Sequence, residues 1–219
     1  SSEKRRISKY IQGNNGMSYQ DAVDEEVDNS IDEEAKNIEL TLVDKKLRQF
    51  YNDGRPMNCE DQLNSIKLDG ESKLKKKDKK GIYGIGGMSS RARLAGQGTQ
   101  KITSRDEGSD IIFQATIPLA YLVSDESPTM CWTGDHEKRP MYLEKSSTTK
   151  SELGFEYEKG VTKEYIGEDL QQVFQLQSVA SHLAKKYNKN IKDGLIIKVI
   201  WDNKTYNIPD IYSDNIETV

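Results

Sequence analysis

Apolar residues recur every three or four positions in two stretches of the chain, a period typical of helices with one buried face. The first stretch is residues 19–36, which Ser18 precedes as a candidate N-cap. Its apolar stripe consists of Ala22, Val23, Val27 and Ile31. The second stretch is residues 168–188, with apolar positions at Leu170, Val173, Phe174, Ala180 and Leu183. Two amphipathic helices are therefore predicted, the second of them long.

Alternation of apolar and polar residues predicts strands, and two pairs of strands are joined by short turns. The first pair is residues 37–43 and 47–52, and the last pair is GLIIKVIW and KTYNIPDI around the turn DNK. Further strands are predicted at 99–105, 109–119 and 160–166, and shorter helices at 59–66 and 88–95. This irregular order of hairpins and helices predicts an α+β fold, a two-layer sandwich with a mixed, largely antiparallel sheet covered by helices.

Two segments show neither the helical period nor the alternation of a strand. Residues 67–80 carry six lysines in their last eight positions, which predicts an exposed loop. Residues 124–151 are rich in Ser, Thr, Pro and charge, which predicts an irregular insertion.

Composition excludes several classes of protein. The chain has 219 residues, of which 34% are hydrophobic and 31% charged, as expected of a soluble protein with a modest core. No apolar run approaches the roughly 20 residues of a membrane span, and no secretory signal opens the sequence. Cys59 and Cys131 are far apart, which favours buried thiols and an intracellular, cytoplasmic or nuclear location. The net charge of −4 limits any contact with nucleic acid to local basic segments.

Candidate chemistry begins in the first predicted helix, DAVDEEVDNSIDEEAKNIEL. Glu25 and Asn29 are four residues apart and therefore share a face of the helix. Glu26 lies about 100° further around the helix and should point elsewhere. From this helix alone, the pair is either a solvated edge or a functional site.

Two further segments change this balance. YNDGRPM follows the second predicted strand, and GIYGIGG, with four glycines in seven residues, follows the lysine-rich segment. Together with EEVDNSIDE, these segments resemble, in order and spacing, the three nucleotide-binding boxes of the GHKL ATPases, the family of DNA gyrase, the ninety-kilodalton heat-shock chaperones, histidine kinases and MutL. The resemblance covers residues 21–100 and, more loosely, the strands up to residue 166. It implies the Bergerat-type ATP-binding fold.

The resemblance also implies a role for each box in binding and hydrolysing ATP with Mg²⁺. Glu25 would activate the attacking water, and Asn29 would contribute one oxygen ligand to the metal. Residues 67–87 would form a lid over the triphosphate, although a solubilising lysine loop is the alternative. The residues implied in nucleotide binding are Asn52, Gly54, Met57, Lys73, Lys80, Gly81, Tyr83, Gly84, Ile85, Gly86, Gly87 and Thr162.

The chain departs from the family pattern at two positions in the adenine box. Asn52 stands where most members have Asp, although a carboxamide can also accept a hydrogen bond from the adenine amino group. Pro56 replaces the second glycine of the box, and proline fixes φ and has no backbone N–H group. The loop under the base is therefore expected to differ from that of the family.

The resemblance is nearest to MORC-type and type II topoisomerase ATPase domains. Neither His136 nor His182 fits the phosphoacceptor of a histidine kinase. Residues 1–166 would form the ATPase domain, and residues 167–219 the start of a second, transducer-like domain, in which Lys204 is a poor candidate for a catalytic lysine. The implied function is an ATP-operated homodimerisation clamp, with possible DNA contact through its basic segments. The alternative is a chaperone-like or non-hydrolysing nucleotide-binding module.

Overall fold

The computed structural model describes residues 17–58, 61–62, 65, 85–119, 129–133 and 153–209. This part of the chain contains four helices and eight strands. In chain order they are α1 (Tyr19–Asp32), β1 (Asn37–Val43), β2 (Lys46–Asn52), α2 (Ile85–Ala95), β3 (Thr99–Arg105), β4 (Ile112–Pro118), β5 (Thr129–Thr133), β6 (Gly160–Ile166), α3 (Leu176–Lys186), α4 (Asn188–Lys192), β7 (Ile196–Trp201) and β8 (Lys204–Asn207).

The strands form one mixed sheet in the order β5-β4-β3-β6-β2-β1-β7-β8. Only β1 and β7 run parallel among these neighbours, and the other pairs are antiparallel. The two predicted hairpins are both present. Each turns through two residues with positive φ, Asp44 and Lys45 in the first and Asp202 and Asn203 in the second. Such two-residue turns match the right-handed twist of the strands. The predicted α+β fold class is confirmed.

The helices cover one face of the sheet. Glu26 of α1 contacts Lys163 of β6, and Arg91 of α2 bonds Gln100 of β3. Lys163 is paired with Ile102, which is fully buried in the main apolar cluster between the two layers. The opposite face is partly covered by residues 153–157, where Tyr157 stacks on the ring of Tyr51. The two faces of the sheet therefore differ, and the face that α1 packs against is called the helical side below.

Helix α1 ends at Asp32 and not at residue 36 as the apolar pattern predicted. Glu34 adopts a left-handed conformation with φ of 64°. The N–H of Ala35 then donates to the carbonyl oxygen of Ser30, and the N–H of Glu34 to that of Ile31. These bonds satisfy carbonyl groups that would otherwise be unpaired at the helix end. The helix therefore ends at these bonds, although the apolar pattern continues over residues 33–36.

The long helix predicted at residues 168–188 is also wrong in its first half, because α3 begins only at Leu176. Residues 168–169 form a turn, and residues 170–175 are not helical and have alternate side chains buried from Leu170 to Phe174, as in an extended segment. The side chain of Gln172 explains this: its Oε1 accepts from the N–H of Leu47, and its Nε2 donates to the carbonyls of Leu47 and Leu94. An extended segment thus satisfies buried backbone groups between β2 and α2.

The structure continues through two predicted boundaries. The insertion expected at residues 124–151 includes strand β5, so this part is not irregular. The domain boundary expected at residue 166 does not coincide with a break in the sheet or the core, because β7 pairs with β1 and Val179 and Leu183 belong to the main apolar cluster. Whether the chain leads from here into a second domain stays a prediction. No helix among the described residues is long and apolar enough to cross a bilayer.

The hydrogen bonds that Gln172 makes to Leu47 and Leu94, called the Gln172 bridge here, yield a prediction about stability. Gln172 is 0% exposed, so Gln172→Ala leaves the N–H of Leu47 and two carbonyl groups without their partner. We expect a loss of about 2–4 kcal/mol in the free energy of unfolding, measured by denaturant titration.

The neighbouring glutamine provides a matched control. Gln171 is exposed, and among the described residues its side chain bonds only the carbonyl of Asp169 in the same segment. Gln171→Ala should change the free energy of unfolding by less than about 0.5 kcal/mol. Equal stabilities of the two variants would show that the bridge is not a structural determinant.

Candidate nucleotide-binding site

The orientation of α1 follows from its two ends and its apolar stripe. Ser18 and Asp21 form a capping box, in which Ser18 Oγ accepts from the N–H of Asp21 and the carboxylate of Asp21 accepts from the N–H of Ser18. Ala22 and Val27 are 0% exposed. Because their burial sets the rotation of the helix about its axis, the direction of each remaining side chain is also set.

Glu25 and Asn29 emerge together on one side of this helix. Both are half-buried, and Asn29 Nδ2 lies 3.4 Å from Glu25 Oε1 as its hydrogen-bond donor. The sequence prediction that they share a face is confirmed. Since the amide nitrogen of Asn29 turns toward the carboxylate, its amide oxygen remains as the group suited to a metal ion.

Glu26 points in a different direction, as predicted, and its environment was not foreseen. The side chain is 2% exposed and lies between α1, α2 and the sheet. Its Oε1 accepts from Ser90 Oγ at 2.8 Å, and its Oε2 contacts Lys163 Nζ. Sequence reasoning missed Ser90 and Lys163 because a serine and a lysine carry no local signal of such a partnership.

Asn52 lies at the end of β2 on the helical side of the sheet. It pairs in register with Val161 and is 7% exposed. Its Oδ1 accepts from the N–H of Gly54 at 3.0 Å, which closes a tight turn. A Cβ atom on Gly54 would lie 2.7 Å from the carbonyl oxygen of Glu33, so glycine is required for the turn to fit beneath the end of α1. The first two boxes therefore meet in space.

Asp53 does not replace the aspartate that is missing at position 52. Its Oδ1 accepts from the N–H groups of Lys36 and Asn37, and its Oδ2 accepts from the side chain of Asn37. Partial burial acts to raise the pKa of Asp53, but the hydrogen bonds from Asn37 and Lys36 outweigh it and hold this pKa below its usual value. The carboxylate thus fastens the connection between α1 and β1 to the end of β2.

The residues after the turn are fastened to the neighbouring strands. Met57 packs against the main core, and its carbonyl oxygen accepts from Ser104 Oγ. Gln62 donates to Ser104 Oγ at 3.3 Å and to the carbonyl of Phe113 at 3.2 Å. Pro56 is accommodated in this loop as a half-buried residue.

The glycine-rich segment falls only partly within the described residues. Lys73, Lys80, Gly81, Tyr83 and Gly84 lie outside them. Residues 85–87 form the first turn of α2, which packs against α1. A Cβ atom on Gly87 would meet nothing within 4 Å, so packing against the described protein does not require glycine there.

The prediction that Thr162 lines the same pocket is wrong in its geometry. Neighbouring residues of a strand point to opposite faces, and Lys163 points to α1. Thr162 therefore points to the other face, where it pairs with Tyr51 and Thr103. Val161, which pairs with Asn52, and Lys163 are the residues of this strand that share the helical face with Asn52.

Helix α3 holds α1 from the side. His182 Nε2 and Lys186 Nζ lie 2.8 Å and 3.0 Å from the same carboxylate oxygen of Asp24. The hydroxyl of Tyr187 lies 2.9 Å from Asp28 Oδ1. Burial, with the nearby carboxylates of Asp24 and Asp28, raises the pKa of Tyr187 well above its usual value. His182, which does not fit a phosphoacceptor in the sequence analysis, is a partly exposed contact between two helices.

Within the described residues, no group of three or more His, Cys, Asp or Glu side chains is arranged to hold a metal ion. A single amide oxygen from Asn29 fits an ion that keeps most of its ligands as water or phosphate, as Mg²⁺ does.

Comparison with known proteins gives two findings. A family model described as histidine kinase-, DNA gyrase B- and HSP90-like ATPase matches residues 17–127. Among solved structures, the chain resembles the Aquifex aeolicus MutL ATPase domain complexed with ADP, with a TM-score of 0.52 and 13% sequence identity. The match covers 89% of this chain and 65% of that chain. No curated protein sequence matches significantly.

The contacts of Asp53 predict a pH-dependent loss of stability. Because the pKa of this carboxylate is lower in the folded chain than in the unfolded one, its contribution is complete above the unfolded value of 3.8 and is lost as the pH falls through the folded value. An asparagine at this position presents fewer acceptors. We expect Asp53→Asn to unfold at lower denaturant concentration than the parent at pH 7, with the gap narrowing near pH 3.

Asp44 offers the matched control, because its side chain makes no hydrogen bond among the described residues and its backbone adopts a left-handed conformation that asparagine tolerates. Asp44→Asn should follow the parent at both pH values. A gap for Asp53→Asn that stays constant with pH would contradict the role given to its carboxylate.

Proposed function

Because the chain belongs to the family of histidine kinase-, DNA gyrase B- and HSP90-like ATPases, we propose that it binds ATP with Mg²⁺ on the helical side of the sheet and hydrolyses it. The observation that carries the proposal is the side-by-side placement of Glu25 and Asn29 on α1, whose C-terminal end lies against the turn of Asn52 and Gly54. In the proposed complex, the carboxylate of Glu25, the amide oxygen of Asn29 and the amide of Asn52 all face the nucleotide.

Glu25 is proposed to orient and deprotonate the attacking water. Its partial exposure leaves it in contact with solvent, and Asn29 restrains it through the hydrogen bond at 3.4 Å. Asn29 would hold Mg²⁺ through its amide oxygen, and the bound ion would neutralise phosphate charge. These two roles require different atoms of two side chains that are already adjacent.

The base is proposed to contact Asn52, with Gly54 and Met57 forming the surrounding loop. The oxygen of Asn52 is already an acceptor for the N–H of Gly54, and a carboxamide oxygen can accept a second hydrogen bond from an adenine amino group. The triphosphate would then run toward the first turn of α2 at residues 85–87, where backbone N–H groups of a helix start favour anions. Lys73, Lys80, Gly81, Tyr83 and Gly84 remain proposed phosphate contacts.

At a finer level, we propose that nucleotide binding closes a lid at residues 67–87 and joins two subunits into a clamp acting on DNA or chromatin, as in MORC-type and topoisomerase ATPases. The residues that flank this segment support the idea. Arg91 donates hydrogen bonds to the carbonyl and hydroxyl oxygens of Ser65, so the two ends of the segment lie close together. The negative charge of a bound triphosphate would offset the conformational entropy that the lysine-rich segment loses when it becomes ordered.

The role of Glu25 predicts a separation of binding from turnover. Glu25→Gln should keep affinity for a nonhydrolysable ATP analogue and lose about 10²–10⁴-fold in the rate of phosphate release, since it removes the proton acceptor and not a nucleotide contact. Calorimetry and a phosphate-release assay measure the two quantities. Glu34→Gln, an exposed glutamate beyond the end of α1, is the control and should behave as the parent.

Asn29→Ala provides the contrasting variant in the same experiment. It should lose Mg²⁺-dependent nucleotide binding as well as turnover, because it removes the proposed metal ligand. Turnover of Glu25→Gln within a few-fold of the parent would contradict the catalytic assignment. Binding by a parent protein that shows no turnover would instead favour the chaperone-like or non-hydrolysing module.

The clamp predicts a change of assembly with nucleotide. Light scattering should show a monomer without ligand and with ADP, and a dimer with Mg²⁺ and the ATP analogue. Amide hydrogen exchange across residues 67–87 should slow only in the last state. A monomer with unchanged exchange in all three states would exclude the clamp and leave a static nucleotide-binding domain.

A further inference from the structure

The carboxylate of Glu26 is a buried charge that the proposed reaction does not use. It is 2% exposed, directly follows Glu25 in the chain, and bonds two different elements. Ser90 Oγ of α2 donates to one oxygen at 2.8 Å, and Lys163 Nζ of β6 contacts the other. Three elements of the fold therefore converge on a single side chain.

Stability alone is a poor explanation for this arrangement. Lys163 is only 17% exposed and stands in register between Phe50 and Ile102, which are both 0% exposed. The cost of removing two charges from water often cancels their attraction, and apolar pairs of similar volume frequently stabilise a protein as well or better. A charged pair in this place instead restricts geometry, since its hydrogen bonds are directional.

Ser90 extends this restriction to the glycine-rich segment. Its hydroxyl lies 2.8 Å from Glu26 Oε1 and 3.2 Å from the carbonyl oxygen of Gly87, and it has one proton to donate. The position of Glu26 is thus linked to the first turn of α2. Arg91, the next residue, bonds Gln100 and Ser65, and burial lowers its pKa to about 10 while Glu26 acts to raise it.

We propose that Glu26 is a positioning residue, which fixes the rotation of α1 against α2 and β6 and thereby holds Glu25 in register with the first turn of α2. The proposal rests on the proposed ATPase function. Glu25 and Glu26 are adjacent on one turn, so a rotation of α1 that releases Glu26 also displaces Glu25. Displacement of a catalytic group by about 1 Å can lower a rate on the order of 10²-fold.

The test compares two neighbouring serines of α2. Ser90→Ala removes the hydrogen bond to Glu26, whereas Ser89→Ala changes a half-buried serine whose side chain makes no hydrogen bond among the described residues. We expect Ser90→Ala to lower kcat for Mg²⁺-ATP by roughly 10- to 100-fold with KM within about twofold of the parent. Ser89→Ala should match the parent in both constants, and thermal unfolding should show that both variants are folded.

A second variant addresses the charge. Glu26→Gln alone leaves Lys163 buried without its anion and is liable to unfold, so it is combined with Lys163→Met, which removes both charges. We expect this double variant to fold and to show the same selective loss of kcat. Parental kcat in either Ser90→Ala or the double variant would overturn the proposal.

Hydrogen exchange distinguishes failure of this inference from failure of the proposed function. If the parent protein does not hydrolyse ATP, the ATPase proposal is wrong. The positioning role is then decided by amide exchange across residues 25–31, which should be faster in Ser90→Ala than in Ser89→Ala. Equal exchange in the two variants would overturn the positioning role whatever the turnover.

Discussion

The burial of α1 against the sheet is the interaction on which the rest of the site depends. Ala22 and Val27 are completely enclosed, so the helix has one permitted rotation about its axis. Four neighbours then contact α1: α2 and β6 on the buried side, α3 on the outer side, and the turn after β2 at its C-terminal end.

This placement explains why a partly buried helix is so acidic. Asp21 closes the N-terminal cap, and Asp24 pairs with His182 and Lys186 of α3. Glu26 bonds the buried lysine, and Asp28 lies against Tyr187. Glu25 differs from these because it stands beside Asn29 at a half-exposed position. Most of the carboxylates therefore orient the helix, and Glu25 is the one for which we propose a chemical role.

The predictable parts of the fold are those where local pattern and tertiary contact agree. Strand β1 was predicted with its observed bounds, because its alternation matches a sheet with one face in the core. Residues 168–175 were assigned to a helix because Leu170 and Phe174 are four apart, a spacing that also fits an extended segment with both residues buried. The hydrogen bonds of Gln172 decide between the two, and they reach Leu47 and Leu94, far away in the chain.

The candidate site divides in the same way. By itself, the sequence determined the identity and spacing of Glu25 and Asn29 and their common face, because these follow from helical geometry. Only the tertiary structure decided that Thr162 points away from them and that Asp53 serves the end of α1. It alone decided the partnership of Glu26, Ser90 and Lys163. The physical reason is that strand register and buried side-chain bonds join residues far apart in the chain, 137 positions for Glu26 and Lys163, and no local pattern of apolar and polar residues encodes such a pairing.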